Sequence, residues 1–262
     1  MKKIIDILLN RNTDSHGLPS NPCIIKGGGS EFKNIISVND IDDFISVDGA
    51  RLPYIAISNT KKKYSQLTDV PFQQRELGYF DSSIILQEFL NGSSIIMKHI
   101  DRRFPAVAAL KNKVIEELFP YTVQANAYLA PSDTQGVQIH ADPHATLLIQ
   151  CSGKKRWLVW GRAFDDTQES LLESLDLDKR VNEIAKGQPI IDEFVHEGDI
   201  LYIPKGYVHT PFTSDTHSLH LTLGIQTNSE SSLAYTGKSI PNDNNVSYSC
   251  KDYMLAPYFL PE

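Results

Sequence analysis

The sequence has no run of about 18 apolar residues, the length a helix needs to cross a bilayer. The nearest thing to a targeting segment is the start, two lysines followed by a short apolar run. Asp6 interrupts that run and no small-residue cleavage site follows, so it reads as a short amphipathic helix and the expected location is the cytoplasm. Cysteine is scarce. Cys23, Cys151 and Cys250 form no Cys-x-x-Cys pair, which argues against a disulfide framework and against a thiolate zinc site. Positive charge is not in surplus either: the net charge is −7, whereas binding phosphate needs a basic face, so nucleic acid is not an expected partner. A basic peptide or protein surface would be better tolerated. Gly27-Gly28-Gly29 lacks the Gly-Lys-Ser/Thr and the helix that make a phosphate-cradling loop, and reads as a turn. There is no internal repeat and no low-complexity block.

What the chain does have is length for one substantial core, or one core and a small appendage: 262 residues, 41% of them hydrophobic. The first third mixes short strand-like pieces (22–26, 54–58) with polar turns. From Ser83 to Leu118 the pattern turns helical, broken by a strand over Ser93–Lys98. Val107, Leu110, Val114 and Leu118, three and four apart, mark an amphipathic helix that ends before Pro120. Beyond Tyr121 come short strands at Val123–Leu129, Val137–Asp142, Ala145–Cys151, Lys155–Trp160, Asp199–Ile203 and Ser218–Gln226. Turns separate them, Ser152-Gly153 and Pro204-Lys205-Gly206 among them. Such spacing predicts an antiparallel sandwich or barrel. A charged helical insert is expected near 165–186, and a polar, irregular tail over 229–262.

Gln138-Ile139-His140-Ala141-Asp142 lies on a predicted strand, where residues two apart point to one face. His140 and Asp142 therefore project together. A lone His-x-Asp is weak evidence, since an ordinary histidine beside an ordinary acid gives the same pattern. The third candidate ligand is His209, placed after a Gly-Asp turn, an apolar strand and a Pro-x-Gly turn. Two imidazoles and one carboxylate form the facial set used by non-haem Fe(II) oxygenases, with three positions left for cosubstrate and O₂.

Several blocks in order carry a resemblance: Asn126-Ala-Tyr128, Gly136-Val-Gln-Ile-His140-Ala-Asp142, Gly153-Lys-Lys155-Arg-Trp157, Gly198–His209 and Ser218–Gly224. Together they resemble the cupin-type Jumonji-C oxygenases, the family of the ribosomal-protein histidine and arginine hydroxylases. The resemblance implies a mostly β fold with flanking helices, a double-stranded β-helix (jelly-roll, or cupin) barrel spanning 83–228, with residues 1–82 as α/β elements packed on it. It implies Fe(II) and O₂, with 2-oxoglutarate as cosubstrate, and hydroxylation of a side chain in a protein or peptide, a biosynthetic peptide being one candidate. The blocks end about where those enzymes continue into helical dimerisation and winged-helix segments. A ribosomal substrate is therefore not carried over, and a homodimer is one open assembly state.

The distal carboxylate of 2-oxoglutarate needs a cation inside such a barrel, because burying it unpaired is very costly. Lys155 shares a strand face with Trp157 and Val159, and the family places its cosubstrate-binding basic residue at this spacing from the first ligand. It is expected on a strand beside the one carrying His140 and Asp142. The alternative is that Lys154, Lys155 and Arg156 are a solvated hairpin end. Asn126 and Tyr128 match polar positions that line the family's pocket and could bond cosubstrate or substrate, a satisfied core amide and a half-buried tyrosine being their alternatives, and Ser218 resembles a position near the cosubstrate. His144 could share the parity of the ligands, but Pro143 interrupts the strand. His220 reads as a core histidine; His99, His196 and His217 read as surface or packing residues. Three other functions stay open: a metal cupin without redox chemistry (an isomerase or small-molecule sensor), an N-methyl-lysine demethylase, and a non-catalytic interaction protein.

Overall fold

A computed structural model describes residues 12–13, 17–46, 54–60, 81–118, 121–165 and 175–226. The expected N-terminal helix, part of the 165–186 insert, Cys250 and the 229–262 tail lie outside the described residues. The strands, in chain order, are β1 Cys23–Ile25, β2 Ile55–Ser58, β3 Ser94–Met97, β4 Thr122–Ala130, β5 His140–Ala141, β6 Ala145–Arg162, β7 Ile191–His196, β8 Ile200–Ile203 and β9 Tyr207–Gln226. The helices are α1 Val38–Ser46, α2 Ser82–Leu90, α3 Pro105–Leu118 and α4 Leu175–Ile184.

All nine strands join one antiparallel sheet in the order β1-β8-β6-β9-β4-β3-β2, with β5 added to β9 and β7 to β6. The two long strands change neighbours halfway. The first part of β6 lies between β8 and β9, and its second part pairs with β7 at Lys154–Val159. Likewise β9 pairs with β5 at Val208 and His209, then with β4 from Ser218 onward. A sheet whose central strands pass from one set of partners to another at irregularities curls on itself, and the result is a jelly-roll of the cupin kind.

Several expectations are corrected here. Ser152-Gly153 is not a turn between two strands but a bulge inside the 18-residue β6, where the register shifts. Gly153 sits at φ +66°, and a Cβ there would collide with the His217 carbonyl. The Ser218–Gln226 strand is the second half of the 20-residue β9. The expected strand over Val137–Asp142 shrinks to His140–Ala141. β7, rich in acid and exposed at four of its six positions, lacked the alternation that would have marked it. The described parts of 1–82 do more than pack on the barrel, because β1 and β2 are strands of the sheet itself.

One face of the sheet forms the main core. Leu147, Ile149, Leu219, Leu221, Leu223 and Ile225 meet Val107, Leu110, Val114 and Leu118 of α3 and Ile41 and Ile45 of α1. The other face turns inward on a smaller cluster of Leu148, Trp157, Val159, Ile191, Val195, Leu201 and Ile203. On β4 the two faces separate cleanly: Val123, Ala125, Ala127 and Leu129 are buried, while Gln124, Asn126 and Tyr128 are half-buried on the inward side. The Glu197-Gly198-Asp199 corner is fixed by Asp199, whose carboxylate accepts N–H bonds from Gly27 at 2.8 Å and His196 at 3.0 Å.

Candidate metal centre

His140, Asp142 and His209 converge from two segments. The Pro204-Lys205-Gly206 turn feeds β9 so that His209 stands opposite His140 across the β5–β9 pair. Gly206 has φ +78°, leaves no room for a Cβ against the Phe164 carbonyl, and donates its N–H to the Asp142 carbonyl at 2.9 Å. Helix α4 supports the ligand segment from outside, with Val181, Leu177 and Ile184 packing in one cluster with Ile139, Ala141, Trp160 and Val208. That is where the described part of the insert lies.

The ligand atoms of the three residues all lie within 4.8 Å of one another. Nε2 of His140 is 3.6 Å from one Asp142 carboxylate oxygen, and Nε2 of His209 is 3.6 Å from the other. Each imidazole turns its Nδ1 to a backbone carbonyl, His140 to Gln138 at 2.7 Å and His209 to Tyr207 at 2.9 Å. A carbonyl only accepts, so Nδ1 carries a proton, and in the neutral ring Nε2 then presents its lone pair, the tautomer a metal ligand requires. Burial pushes the His209 imidazole down to about 4, which keeps it neutral at pH 7. Burial would raise the Asp142 carboxyl, but the electrostatic pull of the neighbouring His209, His140 and His144 rings, strongest when they are protonated, and a bond from Thr146 outweigh it and hold it below the ordinary value. His140 and Asp142 are about one-third exposed and His209 is sealed in, so the set is open on one side. Two imidazole nitrogens and one carboxylate, fixed from outside and open to one side, fit a divalent iron with free positions.

Lys155 lies on β6, whose neighbour is β9. β9 separates it from β5, so the expected adjacency of the Lys155 strand to the ligand strand does not hold. The lysine still faces the same cavity: Val159 opposes His209, Lys155 opposes Thr213, and the Trp157 ring lies 6.0 Å from the His209 ring. Lys155 is 2% exposed, and among the described residues no carboxylate or hydrogen-bonding group meets its ammonium. Burial pushes its pKa down to about 7. Trp157 Nε1, His220 Nδ1 and Gln150 Oε1 are also buried without a hydrogen-bond partner. Unpaired polar atoms gathered around one apolar-walled space are what a bound polar molecule would satisfy.

Tyr128 stacks on His220, ring centroids 4.9 Å apart and planes 7° apart, and burial pushes its phenol up to about 12. Asn126 bonds Tyr128 and accepts the His99 N–H at 3.1 Å. Ser218 is fully buried and accepts a bond from Gln150 at 2.8 Å. These three share the inward face with Lys155. His144 packs against Gly224 outside the ligand set. His196 lies 3.8 Å from Asp199, and His217 bonds Ser152 at 3.1 Å. His220 and Trp157 are the residues that sequence reasoning left in the core or as mere neighbours of Lys155. Their shared parity with Ser218 and Lys155 was the only available signal.

A family model described as a JmjC domain matches residues 98–233. Among curated proteins, the bifunctional lysine-specific demethylase and histidyl-hydroxylase NO66 of Drosophila simulans is 38% identical over 113 residues, 43% of this chain and 13% of that protein. NO66 of Brugia malayi is 34% identical over 113 residues, 43% of this chain and 16% of that one. The chain thus aligns with less than a fifth of the length of these relatives. Among solved structures, that of Escherichia coli YcfD covers 88% of this chain and 59% of its own, at 18% identity and a TM-score of 0.54. A structure of the E. coli ribosomal oxygenase YcfD with cobalt and 2-oxoglutarate covers 88% and 57%, at 17% identity and a TM-score of 0.52. At such identities the shared property is the fold.

Proposed function

The chain belongs to the JmjC domain family, and from that premise we propose that it is an Fe(II)- and 2-oxoglutarate-dependent dioxygenase that hydroxylates a side chain of a protein or peptide. The observation that carries the reading is the pairing of a two-histidine, one-carboxylate set with a buried, unpartnered lysine in one cavity. A metal cupin without redox chemistry has no use for that lysine. His140, Asp142 and His209 would hold the iron. Bound there with 2-oxoglutarate and O₂, it supplies the oxidation in which the cosubstrate loses CO₂ to become succinate and one oxygen atom enters a C–H bond.

The chain's own residues bind and orient. Lys155 receives the distal carboxylate of the cosubstrate, and the Ser218 hydroxyl and Trp157 Nε1–H stand on the same face as further donors. Val159, Leu201, Ile203 and Val195 wall the space and exclude water, which strengthens that pair. Asn126 and Tyr128 line the inward face of β4 and offer an amide and a phenol to cosubstrate or substrate. The half-exposed side at His140 and Asp142 is where substrate would enter. A cytoplasmic setting forms part of the proposal, and the buried free thiol of Cys151 suits a reducing compartment. Neither nucleic acid nor membrane is proposed as a partner.

The test is mass spectrometry of candidate peptides incubated with protein, Fe(II), ascorbate and 2-oxoglutarate. A one-oxygen gain with matching succinate is the expected result. Loss of a methyl group from an N-methyl-lysine peptide would instead make the protein a demethylase. Absence of any succinate formation would refute the oxygenase reading.

A further inference from the structure

A second cavity, of about 170 Å³, lies outside the metal centre between α1, the start of β2 and the turn that follows β3. Its floor is apolar, built from the buried Phe44, Met97 and Ile100. Its rim is cationic: Lys98, Arg102 and Arg103, with His99 between them. Among the described residues no carboxylate lines it. Asp101, beside Ile100 and Arg102 in the chain, is 7% exposed and held by Lys111 at 2.7 Å, and Asp43, beside Phe44, is exposed on α1. In a chain of net charge −7, three cations around one small hollow are against the general balance, and such focused potential draws anions. Arg102 is aimed by its bond to the Tyr54 hydroxyl at 3.0 Å, and Arg103 stacks over Phe44 at 5.5 Å. The hollow is below the roughly 300–1,000 Å³ of clefts that take drug-sized ligands, so it suits one side chain or chain end.

The hollow is wired to the inward face of the barrel. His99 donates its backbone N–H to Asn126, and its Nε2 meets the Gln124 amide nitrogen at 3.3 Å. Gln124 stands in one row with Gly224 and Thr146, and the Thr146 hydroxyl donates to Asp142 at 3.3 Å. Two strand spacings separate Gln124 from Thr146, about 10 Å, so the hollow is on the order of 10–15 Å from the candidate ligands.

We propose that this cationic hollow binds a carboxylate of the substrate peptide, an acidic side chain or the C-terminal carboxylate, about three to four extended residues from the modified side chain. The substrate clause rests on the oxygenase reading, whereas carboxylate binding itself does not. The apolar floor takes the methylenes of the occupant and the rim its charge, which also aligns the peptide across the open side of the metal centre.

The full chain is titrated by NMR with three probes: N-acetyl-glutamate α-amide, N-acetyl-leucine with a free carboxylate, and N-acetyl-glutamine α-amide as the neutral isostere. Saturable shifts of the His99 and Tyr54 rings and of the Gln124 and Asn126 amides are expected with at least one carboxylate probe and not with the isostere. The glutamate probe identifies a side-chain carboxylate and the leucine probe a chain end. Lys98→Gln, whose side chain is exposed, and Arg102→Gln should each weaken the carboxylate probe roughly threefold or more, with unchanged melting for Lys98→Gln. Equal binding of the isostere, shifts elsewhere, no saturable shift, or variants that bind like wild type would overturn the proposal. In a peptide library assayed for one-oxygen gain, modified sequences should carry a carboxylate at that spacing; modification indifferent to it would also overturn the proposal. If no peptide and no succinate appear while the probes still bind, the oxygenase reading and the substrate clause fail, and the hollow stands as a carboxylate site.

Discussion

Replacing Lys155 by alanine is the perturbation that most directly probes the cavity. The ammonium is 2% exposed, and burial pushes its pKa down to about 7 from the ordinary 10.5. A drop of that size corresponds to about 4–5 kcal/mol of unfavourable charge burial, which a carboxylate placed against it would largely recover. Removing one member of a buried pair costs about 3–5 kcal/mol. The half-saturation for 2-oxoglutarate in Lys155→Ala should therefore rise by roughly a hundredfold to a few thousandfold. Metal affinity should stay near wild type, since the lysine is not a ligand. A pH signature accompanies this. The cosubstrate binds the protonated lysine and restores its ordinary pKa, so wild-type affinity should be flat below about pH 7 and weaken by up to about tenfold per pH unit above it. Lys155→Arg should bind less tightly but without that slope, because a guanidinium does not titrate in this range. The assay is calorimetric titration of 2-oxoglutarate into Mn(II)-loaded protein, beside succinate formation at each pH. An unchanged half-saturation in Lys155→Ala, or a flat wild-type profile from pH 7 to 9, would refute the placement of the cosubstrate against this lysine.

Other outcomes follow from the same geometry. His140→Ala, Asp142→Ala and His209→Ala should each reduce succinate formation to background while melting remains close to wild type, since the core is built without the metal; near-normal turnover in any one would remove that residue from the ligand set. The metal-free protein should become more stable from pH 7 to 10, because the unfolded chain holds a proton on Lys155 that the folded chain gives up at about 7; the slope, worth up to about 4 kcal/mol, should vanish in Lys155→Met, which denaturation curves at several pH values would show. Gly153→Ala should cost on the order of 1–3 kcal/mol in the same measurement and weaken 2-oxoglutarate more than metal, because φ is +66° and the new Cβ meets the His217 carbonyl beside Lys155. Val181→Asp should lower Mn(II) affinity roughly tenfold by loosening the packing of α4 behind the His140 segment; unchanged affinity would mean that the helix does not hold the ligand in place.

The convergence of the three candidate ligands was readable because each sits where local sequence dictates direction. His140 and Asp142 are two residues apart in extended chain, and His209 follows a turn whose glycine admits no side chain. Helix α3 was equally plain, with Val107, Leu110, Val114 and Leu118 all buried. What sequence could not supply is the neighbour of each strand. Nothing in Lys155–Trp160 says that β9 lies between it and β5, because pairing partners are set by chain far away. β7 was missed for a related reason: it is an edge strand held by β6 alone, so most of its side chains face solvent and its residues need not alternate.

The inward face of β6 shows why a correct assignment could come from an incorrect element. Before the bulge the even residues Leu148 and Gln150 face inward, while Leu147, Ile149 and Cys151 enter the helix-side core. The register shift between Gln150 and Ser152 adds one residue to β6, and one residue is enough to exchange the two faces. After it the odd residues Lys155, Trp157 and Val159 face inward. Reading Ser152-Gly153 as a turn restarted the alternation and so gave Lys155 the right side. Had 145–162 been read as one regular strand, as its length now shows it to be, parity would have placed Lys155 with Ile149 and Cys151, in a core with no room for a charge. The bulge is therefore what allows one strand to contribute Leu147, Ile149 and Cys151 to the main core and a cation to the cavity, and Gly153, at φ +66° against the His217 carbonyl, is a residue of that irregularity that no side chain could replace without strain.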